Sequence, residues 1–76
     1  KRASVAINFK FAVRQQEGWS KLSPAMQHSL DMIIDKISRI LVGNPHHLDH
    51  WEDIAGYSKL VVKDLTVDRT RNPFTK

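Results

Sequence analysis

Three histidines and an aspartate lie close together in the middle of the chain, and these residue types can bind a metal ion. His46, His47 and His50 flank Asp49. A zinc site needs three or four ligands that converge tetrahedrally, and helical zinc motifs place two histidines four residues apart. His47 and His50 instead straddle a loop and the expected start of a helix, where Asp49 is predicted to be the N-cap. The pattern therefore favours a capping role over a metal site.

Two further carboxylates, Asp31 and Asp35, lie one helical turn apart and offer the hard oxygen ligands that Mg²⁺ prefers. An ordinary ion pair between Asp35 and Arg39 is the alternative that this spacing favours. The sequence has no glycine-rich phosphate loop, no cysteine nucleophile and no recognisable Ser/His/Asp arrangement. Catalysis stays an open question, no cofactor is firmly implied, and magnesium is the one candidate.

These side chains must be positioned by helices, and the clearest helix is predicted over residues 24–42. Ser23 is a suitable N-cap, Pro24 suits the first helical position, and Gly43 can adopt the left-handed conformation that ends many helices. At about 100° per residue the apolar side chains form a stripe about 120° wide, which is typical of a core-facing surface. The stripe consists of Met26, Leu30, Ile33, Ile34, Ile37, Ile40 and Leu41.

One more helix is predicted on each side of this central one. The spacing of Val5, Phe9 and Val13 predicts a helix over about residues 3–17, and a strand is less suitable because strict alternation fails. Asp49 and Glu52 form a capping-box pattern that predicts a third helix over about residues 50–65. We therefore expect an all-α fold of three helices, with an antiparallel hairpin of the second and third helices, completed by a partner copy.

The last ten residues, 67–76, are polar, contain Asn72-Pro73 and show no helical period. We predict an irregular tail that docks through Phe74. Residues 1–66 then form a single helical domain. The chain begins with Lys1 rather than Met, which suggests a processed or excised product.

The composition limits the function classes. A chain of 76 residues without cysteine has a small stability margin and no disulfides to increase it, so self-association is the expected further source of stability. The net charge of +4 comes from basic residues near both ends, which predicts only weak, salt-sensitive binding to nucleic acid. No apolar run of about eighteen residues and no signal-peptide pattern exist, so we expect a soluble, intracellular protein without membrane contact.

Some residues of the hairpin helices do not fit a plain core pattern. A glycine such as Gly56 in a helix interior lowers helix stability by about 1 kcal/mol relative to alanine, which suggests that another backbone or a ligand approaches closely. The favoured interpretation is that Asp53 pairs with Lys36 or Arg39 across the hairpin and that Gly56 lets the helices touch; a binding cleft is the alternative. An interaction surface for a protein partner or a second copy is predicted at Met32, Gly56 and Leu60, outside the main stripes, together with Trp51 from the stripe of the third helix.

Several short motifs, taken together, carry a family resemblance over about three quarters of the chain. They are Asn8-Phe9, Leu22-Ser23-Pro24, Lys36-Ile37-Ser38-Arg39-Ile40, Gly43-Asn44-Pro45 and the segment HLDHWEDIAGY from His47 to Tyr57. From Asn8 through Leu65 the chain resembles a family of small phage and prophage domains. Ser4-Val5-Ala6-Ile7 stands where members of that family usually carry a Tyr-Gly element.

The layout is similar to phage domains associated with nucleotide modification, and more distantly to all-α nucleotide pyrophosphohydrolases of the MazG and dimeric dUTPase type, although their EExxE signature is missing. The resemblance implies a bacterial host cytoplasm as the location. It also implies that Asp49, Trp51 and a set of ligand-binding candidates are important: Lys36, Arg39, Asn44, His47, Asp53 and Tyr57. Lys36 and Arg39 suit phosphate oxygens, whereas an aromatic ring suits a base.

Three hypotheses follow. The first is a phage-type accessory protein, a non-enzymatic helical module that binds a protein partner or itself. The second is a nucleotide-binding domain, with or without magnesium-dependent processing. The third is a weak basic nucleic-acid binder without sequence specificity.

Overall fold

The computed structural model describes residues 2–71, and the side chains of residues 3–66. Within this part of the chain all regular structure is helical, as the sequence predicts, and no strand is present. The elements are α1 (Arg2–Arg14), a short 3₁₀-helix (Glu17–Lys21), α2 (Pro24–Val42) and α3 (Leu48–Arg71).

The central helix α2 has the predicted bounds. Ser23 is its N-cap, and the Oγ of Ser23 accepts a hydrogen bond of 3.1 Å from the amide of Met26. Gly43 ends the helix by donating its amide to the carbonyl of Arg39 at 2.8 Å. The left-handed conformation predicted for Gly43 is wrong, because its φ is −110°. The helix is therefore closed by a backbone hydrogen bond, without a residue in the left-handed conformation.

The first helix ends earlier than predicted, at Arg14 rather than at residue 17. Just after it, the amide of Gln15 donates to the carbonyls of both Phe11 at 3.2 Å and Ala12 at 3.3 Å. The amide of Gln16 donates to Val13 at 3.2 Å, and this tightening precedes the 3₁₀-helix. Trp19 lies in that helix, and its carbonyl accepts a hydrogen bond of 2.9 Å from the side chain of Gln27. The connection is thereby fixed beside the first turns of α2.

The third helix is longer than predicted at both ends. It begins at Leu48, which places Asp49 in its first turn, so the prediction of Asp49 as the N-cap is wrong. The helix continues to Arg71, so residues 67–71 are helical and not an irregular tail. Neither glycine nor proline occurs between Gly56 and Pro73, so the sequence contains no strong helix breaker at residue 66. Phe74 and its predicted docking lie outside the described residues.

The three helices form a single flat layer in which α2 lies between α1 and α3. The ion pairs Lys10–Asp35 and Arg14–Asp31 join α1 to α2, and residue numbers rise in one helix as they fall in the other, so the two are antiparallel. The same order relates α2 to α3, which confirms the helical hairpin. The extents are 47 × 29 × 12 Å, and the smallest equals the diameter of one helix.

The predicted core stripe of α2 is not the core. Among the described side chains the buried apolar residues are Ala6 and Ile34, and the other buried positions are Ser29 and Ser38. Of the seven stripe residues only Ile34 is buried, whereas Leu41 is 69% exposed. The flanking helices contact α2 on its two sides and cover the stripe only in part: Leu30 and Leu41 are exposed, and Met26, Ile33, Ile37 and Ile40 are half-buried.

Candidate functional site

The hairpin contact between α2 and α3 is built from a row of polar and aromatic side chains. The ammonium of Lys36 lies 2.8 Å from a carboxylate oxygen of Asp53, and the Lys36 side chain is only 14% exposed. Further along, the rings of His28 and Tyr57 meet edge to face with centroids 6.5 Å apart. The predicted pairing of Asp53 across the hairpin is therefore present, and Lys36 is the partner.

The Lys36 ammonium also sets the electrostatics of this row. Its hydrogen bond lowers the pKa of Asp53 below the ordinary value, while partial burial acts in the opposite direction. Lys36 is consequently occupied by a carboxylate and is not aimed at an open cleft. The nucleotide hypothesis requires Lys36, Arg39 and Asp53 to converge on a ligand. Lys36 and Asp53 instead bond to each other, which leaves Arg39 as the ligand-binding candidate of the three.

At the loop end of the hairpin lies an open depression of about 260 Å³, here called the loop pocket. It is lined by Arg39, Val42, Gly43, Asn44 and His50. The loop is fixed by two hydrogen bonds: the Asn44 side-chain oxygen accepts from the His46 amide at 2.9 Å, and the Trp51 indole donates to the Pro45 carbonyl at 2.8 Å. Arg39 and Asn44, both predicted ligand-binding residues, thus share one wall.

His50 occupies the floor of this region and lies in a positive field. Its pKa is lowered from the ordinary histidine value, first by partial burial and then by the nearby charges of His47, Lys36 and Arg39, with only Asp53 opposing. The ring of His47 lies 4.6 Å from the ring of His50. The Nδ1 atom of His50 is buried and has no hydrogen-bond partner among the described residues. His50 was not among the residues singled out for a ligand.

The remaining predicted site residues lie apart from the loop pocket. His47 is directed to Asp49, with 3.7 Å between ring nitrogen and carboxylate. Tyr57 contacts His28, which lies two turns before Lys36 on α2. The structure therefore brings Arg39 and Asn44 together with His50, and it separates them from Tyr57.

The carboxylates weighed as magnesium ligands are bound by basic residues of α1. Asp31 accepts from Arg14 at 2.6 Å, and Asp35 lies 3.0 Å from Lys10. The predicted Asp35–Arg39 pair is wrong, since Lys10 takes its place. Among the residues that the structure describes, no group of three or more His, Cys, Asp or Glu side chains could hold a metal ion. The sequence hinted at these two ion pairs only through spacing: Lys10 and Arg14 are four residues apart, and so are Asp31 and Asp35.

The predicted interaction residues do not form one surface. Trp51 and Leu60 are nine residues apart, about two and a half turns, so they point to opposite sides of α3. Met32 is half-buried, on the row between His28 and Lys36 that faces α3. The expected close approach at Gly56 is wrong, because a Cβ built there meets no atom within 4 Å among the described residues.

The structure has a different apolar surface, made of residues that the sequence pattern predicts to be core. Five side chains of α2 fall within an arc of about 80°; we call them the isoleucine face, and they are Met26, Leu30, Ile33, Ile37 and Leu41. Beside it, between α2 and α3, runs an open groove of about 300 Å³. The groove is lined by Leu22, Met26, Ser29, Leu30, Ile33, Ser58 and Val61.

No protein-family model, curated protein or solved structure matches the chain. Among the helices of the described part, none combines the length and the apolar content that crossing a membrane requires.

Proposed function

We propose that this chain is a non-enzymatic helical interaction module that self-associates through the isoleucine face. The observation that carries the proposal is the apolar face of a flat layer of helices, which leaves Leu30 and Leu41 exposed and Met26, Ile33 and Ile37 half-buried. Stable domains bury their apolar surfaces between at least two layers of secondary structure. A second copy placed face to face supplies the missing layer and turns a single layer of three helices into a two-layer bundle.

The exposed area supports this. The accessible surface is 5991 Å², whereas a compact monomer of 8.8 kDa exposes about 4,800 Å². The radius of gyration of 14.6 Å likewise exceeds the value of about 11 Å for a compact domain of this length. The chain is therefore more extended than a compact monomer of the same mass, as expected of a fold that lacks a second layer.

The chemistry of the face favours a helical protein surface over a small ligand. Its side chains are aliphatic, and the adjoining groove offers apolar lining with the hydroxyl-bearing Ser29 and Ser58 as its polar residues. Such a surface provides area but few directional contacts, which suits helix packing. The resemblance to phage domains adds an accessory role in an infected bacterial cell to the proposal.

Sedimentation of the chain with two matched substitutions tests the assignment. Leu30 is 40% exposed on the isoleucine face, and Leu60 is 56% exposed on the far side of α3 from the groove. We expect the wild-type chain and Leu60→Glu to sediment as dimers at tens of micromolar, and Leu30→Glu to sediment as a monomer, because the substitution places a charge in the interface.

Two outcomes would contradict the proposal. A monomeric wild-type chain over the whole concentration range shows that the face does not pair with itself. Loss of dimer in Leu60→Glu, with Leu30→Glu unaffected, moves the interface to the opposite face.

A further inference from the structure

The loop pocket contains an arginine, Arg39, that forms no direct ion pair with a described carboxylate; it acts on Asp53 only through its charge, and Asp53 is already paired with Lys36. The other basic side chains between the helices all have acidic partners: Lys10 with Asp35, Arg14 with Asp31, and Lys36 with Asp53. Arg39 is half-buried, yet among residues 3–66 no carboxylate lies within 4 Å of its guanidinium and no hydrogen bond from it is present. The five N–H donors of this guanidinium are therefore left to water or to a ligand.

The rest of the pocket also presents donors. Because the side-chain oxygen of Asn44 accepts from the His46 amide, its NH₂ group is left to donate, and no acceptor for it is present in the described part of the chain. Asp53, the nearest acid to His50, is taken by Lys36 at 2.8 Å. The pocket therefore has two unused donor groups, a positive field and no carboxylate on its wall.

We propose that the loop pocket binds a phosphate group through a fork of hydrogen bonds from Arg39 and a further one from Asn44. The planar guanidinium matches two phosphate oxygens, and the charge-assisted bonds are the strong kind. The open volume of about 260 Å³ accommodates a phosphate with a substituent attached. Arg39 lies about 160° around α2 from Ile37, the middle of the isoleucine face, so a phosphate bound to it leaves that face free for self-association.

The test is an NMR titration of the whole chain with inorganic phosphate, against sodium chloride at equal ionic strength. We expect saturable shifts of the Gly43 and Asn44 amides with phosphate only. Arg39→Gln should weaken binding at least tenfold and Arg39→Lys less so, because a lysine retains the charge without the fork. Lys63→Gln removes the same charge from an exposed position on α3 and should bind as the wild type does.

The wild-type chain gives a second readout that needs no substitution. Burial and then the nearby cations lower the pKa of His50; a bound phosphate should offset the cations and raise that pKa, and chloride at the same ionic strength should not. Pyrophosphate and a nucleoside triphosphate distinguish the source of the phosphate: tighter binding with added shifts at Tyr57 indicates a nucleotide, and equal binding indicates the phosphate alone.

Linear shifts that chloride reproduces show screening only and overturn the proposal. Equal binding by Arg39→Gln and Lys63→Gln also overturns it. If Arg39→Gln does not fold, the His50 titration in the wild-type chain decides.

Discussion

The Lys36–Asp53 pair illustrates which side-chain contacts a sequence can reveal. Both residues lie on the two helices of one hairpin, whose short loop fixes their register, so their pairing was among the alternatives that the sequence offered. The pairs Lys10–Asp35 and Arg14–Asp31 join helices whose relative position depends on the 3₁₀ connection, and that geometry has no clear sequence signal. The same limit applies to His50, since only the folded loop shows which cations surround it.

Gly56 gives the prediction at this scale. It lies within α3, is exposed, and a Cβ there would meet nothing within 4 Å in the described part of the protein. Gly56→Ala should therefore raise the free energy of unfolding by about 0.5–1 kcal/mol, because alanine loses less backbone entropy in a helix. Urea denaturation followed by circular dichroism measures the change. Gly43→Ala is the contrasting variant, since its Cβ would lie 3.0 Å from the Arg39 carbonyl oxygen and no gain is expected. A loss of stability in Gly56→Ala would mean that another molecule approaches that position.

At the scale of elements, local signals predicted which helices exist but not how far they extend. The start of α2 followed from Ser23 and Pro24, because a cap and a fixed φ act within one turn. The end of α3 did not follow, because the polar composition of residues 67–71 was interpreted as irregularity although most polar residue types cost little in a helix. The helices also differ in how they are held: α1 contributes Ala6 to the buried apolar residues and reaches α2 mainly through two ion pairs.

This weak attachment predicts that α1 is the element that opens most easily. The ion pairs of Lys10 and Arg14 are about a third exposed, so each contributes at most about 1 kcal/mol. We expect the double variant Lys10→Gln/Arg14→Gln to lose hydrogen-exchange protection in α1 while α2 and α3 keep theirs. High salt should reproduce part of the effect by screening. Lys59→Gln/Lys63→Gln, with the same change in charge, should leave α1 protected. Unchanged protection in the first variant would mean that apolar contacts hold α1.

For the molecule as a whole, the sequence predicted that the apolar stripe of α2 is covered, but not by what. A hydrophobic period shows only that one side of a helix avoids water. Within one chain the natural candidates for the cover were α1 and α3, yet these helices lie at the flanks and leave Leu30 and Leu41 exposed. The expectation of a partner copy came from chain length, and it fits the observed flat layer better than the expected intramolecular core does.

A layer that is completed by a second copy cannot have a stability independent of concentration. Folding and pairing are then one equilibrium, so each tenfold rise in chain concentration should stabilise the dimer by about 1.4 kcal/mol. We expect the urea midpoint of the wild-type chain to rise steadily between micromolar and hundreds of micromolar concentrations. Leu60→Glu should show the same rise, because its charge lies away from the isoleucine face. Leu30→Glu should unfold at a lower urea midpoint that does not change with chain concentration, because the unfolding of a monomer involves no dissociation. A constant midpoint in the wild-type chain would mean that α1, α2 and α3 are stable as a single layer, and the exposed face would then need no second copy.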